Sequence, residues 1–494
     1  MERTYRAPMA SRTTTRTFKG PKGTRDMYPE DMLRRRYLIQ TWRDTSIRHG
    51  FEEIEGPTFE ESELYAVKSG DGILGELFQS FSGKSPDEVA RVQQTGRAPF
   101  AMRPEFTPTL ARMYAARARQ LPKPTRWFMA GSFFRAERPQ RGRLREFLQW
   151  NCDVIGNSES GGEHAAETDA MFALVGACVQ FGFSPAHMKV LFCDRRFIEA
   201  QLAASGVSAT AMPSAFSLLD KRHKISREAF ADEADGIGFS ADGFDALVAQ
   251  RDESVAAIAG ESPWLAWDSA IVRGLAYYTG LVFELNADGE RAVAGGGRYD
   301  GLIELVGGPP TPAVGFAMGD VVLSLLLEDK SLMPEGPELM EAVSAGPASV
   351  RPEAFVIPGN EDADGLVRRL LADLRRGVES EAWLESGDDR KPWQRSRFDP
   401  ASGGVRPMHA RSSDKSTRNL KKLLADAERQ YARFAVVIHD TPEAADRVQL
   451  KDLDRRADLT PADVPGMPSD SAEFSVQPTS PVYIGRAIAA LSDA

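Results

Sequence analysis

The sequence predicts an α+β protein: strands paired around a basic hairpin, a helical stretch in the middle of the chain, and a smaller α/β unit toward the C-terminus. Three observations carry this reading. Phe133–Gly156, FFRAERPQRGRLREFLQWNCDVIG, sets Arg135, Arg138, Arg141, Arg143, Arg145 and a Pro-Gln-Arg-Gly turn between two apolar segments of period two. That is a strand, a basic loop and a returning strand. Val190–Ser262 repeats helical patterns without a catalytic cluster. Ala354–Leu450 alternates strand and helix patterns around one polar interruption.

Each element follows in order. Residues 1–18 hold Arg3, Arg6, Arg12 and Arg16 among Ser and Thr, the composition of a transit peptide or of a disordered arm; the expectation here is the arm. Met32–His49 has helical apolar spacing and ends at Gly50, a C-cap signal. Phe51–Pro57 reads as a strand. Ala101–Arg112 places Arg103 and Glu105 before a helix, with Pro104 fixing the backbone. After the hairpin come an apolar helix over Thr168–Phe181, strands over Ala270–Leu285 and Ala292–Arg298, and a helix that Gly315–Leu327 enters from GFAMGD. Leu332–Val350 has the Pro, Gly, Ser and Glu of a linker. The last unit reads as strand Ala354–Ile357, helix Ala363–Arg376, strand Glu379–Leu384, helix Lys415–Gln430, and strands Phe434–Ile438 and Arg447–Leu450. Ser386–Ser413, polar and with six Lys/Arg, reads as an inserted loop. The expected division is 19–190 with 263–332, an insertion at 191–262, a linker at 333–351 and a unit at 352–494.

Bulk properties narrow the function. A chain of 494 residues exceeds one hydrophobic core. Its 42% hydrophobic and 27% charged residues are those of a soluble globular protein, without an apolar run long enough to span a membrane. Cys152, Cys178 and Cys193 lie far apart, which excludes a disulfide framework or a cysteine zinc site. With a net charge of −10, any nucleic-acid contact must rest on local basic patches.

Together with RGLAYYTG (Arg273–Gly280) and GGGRYDGL (Gly295–Leu302), the hairpin resembles the histidyl-tRNA synthetases, members of the class II aminoacyl-tRNA synthetases, over most of residues 19–456. The resemblance implies a seven-stranded antiparallel catalytic sheet, a helical insertion and a C-terminal α/β anticodon-binding domain. It also implies a cytoplasmic homodimer that activates L-histidine with ATP and magnesium and charges histidine tRNA. Helix 32–49 and the strand after it resemble motif 1, which forms much of the family's dimer interface.

The site residues come with the resemblance. Arg135 corresponds to the motif 2 arginine that grips the α-phosphate and carboxylate, a task suited to a permanently charged fork. Glu137 corresponds to an adenine contact, Arg143 to a contact with the outer phosphates, and Phe147 to the ring packed on adenine. Arg273 corresponds to an arginine across the α-phosphate from Arg135. Glu105 and Thr107, with Gln149 nearby, correspond to acceptors for the α-ammonium. Asp153, where the family often has Glu, and Tyr278, with Tyr277 alongside, correspond to the partners of the two imidazole nitrogens.

Two departures stand out. Ala276 replaces a usual Asp. Val322 replaces the motif 3 arginine that stacks on adenine and reaches the γ-phosphate; Asp320 nearby is of a type to hold a metal or a lysine. Two further readings stay open: a non-catalytic paralogue serving as a regulatory subunit in histidine biosynthesis, and an enzyme that acylates something other than tRNA.

Overall fold

The computed structural model describes residues 18–493 apart from 70–74, 158–163, 223–224, 257, 259, 261, 273–276, 288–291, 345, 386–394 and 440–446. The strands along the chain are β1 (Glu52–Glu53), β2 (Phe59–Glu61), β3 (Gln79–Ser80), β4 (Phe100–Met102), β5 (Thr125–Phe134), β6 (Glu146–Ile155), β7 (Met188–Asp194), β8 (Leu265–Trp267), β9 (Leu281–Ala287), β10 (Ala294–Arg298) and β11 (Ala313–Gly319). The C-terminal part adds β12 (Ala354–Pro358), β13 (Ala410–Ser412), β14 (Phe434–His439), β15 (Arg447–Asp452), β16 (Ala457–Leu459) and β17 (Phe474–Ser475). No described helix is long and apolar enough to cross a membrane.

The main sheet has eight strands in the order β1-β5-β6-β11-β10-β9-β7-β8, not the expected seven. Its inner pairs are antiparallel, and the two outer pairs, β1 with β5 and β7 with β8, are parallel. The extended stretch expected over Phe51–Pro57 pairs with β5 through Glu52 and Glu53, and the Ile54 amide donates to the Phe128 carbonyl at 2.9 Å.

Strand alternation divides this sheet into two faces. Leu148, Trp150, Cys152 and Val154 of β6 enter the larger core beneath helices Pro29–Arg48 and Ala165–Gln180. Trp150 stacks on Trp42 at 6.2 Å and meets Phe316 edge-on at 4.9 Å. Trp127, Met129 and Phe133 of β5 face the other way, against Phe106, Leu110 and Tyr114 around helix Thr107–Arg117. The first helix starts with Pro29, Glu30 and Asp31 and ends before Gly50, whose φ of 80° is glycine's left-handed region.

Leu332–Val350, expected as a linker, carries helix Gly336–Ser344, and Leu339 is buried in the larger core. Its first Pro and Gly residues lie where that helix begins. The central helical stretch opens with β7 and then packs Ile198, Leu202, Phe216, Leu219, Phe230 and Phe244 into a core of its own. Ser226 and Ser240 cap two of its helices through bonds from Ala229 and Gly243.

In the C-terminal sheet, β13, β12 and β14 are parallel, and β15 adds antiparallel. Ala354 and Val356 face helix Asp364–Arg376, while Phe355 and Ile357 face helix Leu420–Arg429. Two expectations are corrected here. Glu379–Leu384 is not a strand: Glu381–Glu385 forms a helical turn, since the Ser380 hydroxyl accepts the Trp383 amide and the residues that follow are good helix formers. The described part of the Ser386–Ser413 insertion supplies edge strand β13 and buries Arg397, Val405, Met408 and His409. Arg397 pairs with Glu379 at 2.5 Å, so part of the loop's positive charge is spent inside the fold.

Arg126 of β5 joins the two sheets, binding Asp414 at 2.7 and 2.8 Å and Asp169 at 2.9 Å. Burial alone would lower the Arg126 pKa, but the Asp414 and Asp169 carboxylates outweigh it and raise it.

Candidate active site

The hairpin Thr125–Ile155 folds as its pattern requires. Arg135 and Arg145 continue the ladder beyond β5 and β6, and Gln140 and Arg143 exchange backbone hydrogen bonds around Arg141–Gly142. Gly142 has a φ of 74°, which the third position of such a turn demands. Arg135, Phe147, Gln149 and Asp153 share one strand parity and so emerge on the face opposite the larger core.

The floor of that face is made of small residues. Gly315 of β11 lies opposite Asp153, Ala317 opposite Asn151 and Gly319 opposite Gln149. In β10, Gly295 and Gly297 continue these rows. A Cβ at Gly315 would sit 1.8 Å from the Asp153 carboxylate, and one at Gly297 would sit 2.9 Å from the Tyr278 ring. These glycines therefore make room for the two side chains expected to read an imidazole. On the reverse face Arg298 anchors β10 through bonds of 2.7 and 2.8 Å to the buried Glu167.

Most of the expected residues converge. The Arg135 guanidinium lies 5.0 Å over the Phe147 ring, and its Nε donates to the Pro104 carbonyl at 3.1 Å. Burial lowers the Arg135 pKa, and the carboxylates of Glu105 and Glu137 pull against it. Arg143 and Tyr277 also act on it electrostatically, and with Phe147 beneath it five expected residues act on one guanidinium. Glu137 and Arg143 pair with each other across the loop. Phe133 backs Phe147 at 6.2 Å. Glu105 is half-buried in the turn before the helix that Thr107 begins. Arg103 binds Glu55 at 2.6 Å and the carbonyls of Ser132 and Gly56. Gln149 donates to Asn151 at 2.9 Å, and the Tyr277 and Tyr278 rings lie 4.5 Å apart. Arg273 and Ala276 lie outside the described residues.

Two residues found here were not named from the sequence. The Tyr299 hydroxyl donates to Asp153 at 2.5 Å. Burial and the adjacent carboxylate push its pKa well above the usual phenol range, so it remains a donor. Its signal in the sequence is the tyrosine of GGGRYDGL. The other is Arg25, which bonds to Asp320 at 2.6 Å. Val322 is buried in the larger core and offers the site no charge.

A family model described as histidyl-tRNA synthetase matches residues 23–248 and 241–320. The chain is 36% identical over 410 residues to histidine–tRNA ligase of Opitutus terrae, which covers 75% of this chain and 89% of that one. It is 35% identical over 344 residues to histidine–tRNA ligase of Haloarcula marismortui, covering 63% and 75% of the two chains. Among solved structures, histidyl-tRNA synthetase from Nostoc overlays with a TM-score of 0.50 at 19% identity, over 90% of this chain and 96% of that one. A Bacillus halodurans protein described as ATP phosphoribosyltransferase regulatory subunit/histidyl-tRNA synthetase overlays with a TM-score of 0.51 at 18% identity, over 83% and 96%. At such identities the structural likeness speaks for the fold, while the sequence matches over most of the chain speak for the lineage. The chain belongs to the histidyl-tRNA synthetase family.

Proposed function

We propose that the chain is a histidine–tRNA ligase. It joins the carboxylate of L-histidine to the α-phosphate of ATP, releases pyrophosphate, and passes the histidyl group to the terminal ribose of histidine tRNA. The observation that carries this is the gathering of Glu105, Arg135, Phe147, Gln149, Asp153, Tyr278 and Tyr299 around one face of the main sheet.

The first step brings two anions together, so the site must neutralise charge and hold the reactants in line. Arg135 binds the α-phosphate and the attacking carboxylate, and the family resemblance assigns to Arg273 the contact on the other side of the phosphate. As the carboxylate oxygen bonds to phosphorus, the bond to the pyrophosphate oxygen breaks and pyrophosphate leaves; magnesium bound with the triphosphate would neutralise part of its charge. Phe147 and Glu137 seat adenine, and Arg143 turns from Glu137 to the outer phosphates. Glu105, Thr107 and Gln149 hold the α-ammonium. Asp153, fixed by Tyr299, accepts one imidazole N–H, and Tyr278 serves the other nitrogen. Residues 19–190 and 263–332 form the catalytic domain and 191–262 its insertion. The protein works as a cytoplasmic homodimer.

Pyrophosphate exchange into ATP is expected to require L-histidine among the amino acids. Exchange driven by a different amino acid would overturn the assignment. Absence of any exchange would favour the regulatory reading, to which the buried valine at position 322 lends its one observation.

The separate C-terminal core supports an anticodon-binding role for residues 352–494. A truncation ending near Val350 is expected to retain exchange and to charge tRNA poorly. Equal charging by the truncated and full-length proteins would refute that role.

A further inference from the structure

We infer that Arg25 is an ATP contact: anchored on Asp320, its guanidinium binds the outer phosphates of the nucleotide and supplies the charge that position 322 lacks. The identity of the nucleotide rests on the ligase reading.

Two sets of contacts place Arg25 at the mouth of the site. The first lays the N-terminal segment across the basic loop. The Gly23 carbonyl accepts the Arg145 amide at 2.8 Å, and Arg145 Nη1 reaches the Lys22 carbonyl at 3.5 Å. Gly23 has a φ of 88°, and a Cβ there would fall 2.6 Å from the Pro139 ring. Glycine is thus what lets this backbone lie so close to the loop.

The second set runs through Asp320, the first residue of helix Asp320–Asp329. Its side chain is 3% exposed. One oxygen accepts the Leu148 amide at 2.8 Å, and the other receives Arg25 at 2.6 Å. Leu148 lies between Phe147 and Gln149, so Asp320 ties Arg25 to the strand that carries the expected adenine platform. A buried carboxylate must be paired. The pairing leaves 35% of the Arg25 side chain in solvent. A guanidinium has five N–H groups, so one edge can hold a carboxylate while another meets phosphate oxygens. A residue that only clipped the segment in place would serve ATP and AMP alike; a phosphate contact would not.

Calorimetric titration of ATP and of AMP separates these cases, using the full-length protein and its Arg25→Ala, Arg25→Lys and Asp320→Asn variants. Loss of a charge-assisted bond predicts ATP binding about 10- to 100-fold weaker in Arg25→Ala, with AMP changed by less than about 3-fold. Arg25→Lys, which keeps the charge without the fork, should fall between wild type and Arg25→Ala. Asp320→Asn should follow Arg25→Ala in direction. Unchanged ATP affinity in folded Arg25→Ala, or equal losses for ATP and AMP, would overturn the inference. The more conservative Arg25→Lys reports the same ATP-selective loss if the alanine variant does not fold. Histidine-dependent exchange by the wild type tests the ligase reading separately, because the calorimetric result stands whether or not adenylate forms.

Discussion

Arg135→Ala is expected to slow histidyl-adenylate formation by about 100- to 1,000-fold, the usual loss when one preorganised charged donor is removed from a developing anion. The loss should fall on kcat more than on the histidine KM, because the contact strengthens as negative charge gathers on the α-phosphate. Arg135 is well placed for this. Burial makes its charge costly in the absence of ligand, and Glu105 and Glu137 only partly offset that cost. Bound triphosphate would complete the compensation. The variant also loses the packing on Phe147 and the bond to the Pro104 carbonyl, so its melting temperature should be measured beside its rate. A folded variant with kcat close to wild type would remove Arg135 from the chemistry.

Replacing Asp153 should act on the other substrate. Asp153→Ala is expected to raise the histidine KM about 10- to 100-fold, the cost of a lost hydrogen bond to a charged acceptor, with the ATP KM little changed. The buried Tyr299 hydroxyl would lose its acceptor as well, so stability should fall by about 1–3 kcal/mol. Two companions sharpen the test. Tyr299→Phe keeps the carboxylate and removes only its donor, so its effect should be smaller. Gly315→Ala touches neither group chemically but puts a methyl where the Asp153 oxygen lies, 1.8 Å away, and should therefore imitate Asp153→Ala. Steady-state exchange kinetics with varied histidine would settle the matter; an Asp153→Ala protein with wild-type histidine KM would refute the assignment.

Much of this architecture was legible in local pattern. The hairpin announced itself through period two on both arms and a turn whose glycine had to adopt positive φ. Helices Pro29–Arg48 and Asp364–Arg376 carried helical spacing and terminal signals. Local pattern failed where tertiary contacts outweighed it. GFAMG was read as the entry to a helix, yet it is β11. Its small residues carry almost no strand propensity; β6 and β10 on either side supply the hydrogen bonds that hold it. Leu332–Val350 looked like a linker because Pro and Gly break patterns, and only the core beneath it accounts for Leu339 being buried.

By itself the sequence determined the alternating faces of the hairpin, the helical character of the middle of the chain, and which arginines and carboxylates were candidates for the site. The faces and the helical character follow from periodicities of two and 3.6 residues, which are local properties, and the candidate residues come with the family resemblance of the motifs that hold them. The tertiary structure decided which of them meet. It set Tyr299 against Asp153, opened space beside them with Gly315 and Gly297, and brought Arg25 to Asp320 across nearly three hundred residues of chain. Such pairings depend on strand register and on the need of a buried carboxylate for a partner, and neither is encoded within a window of neighbouring residues.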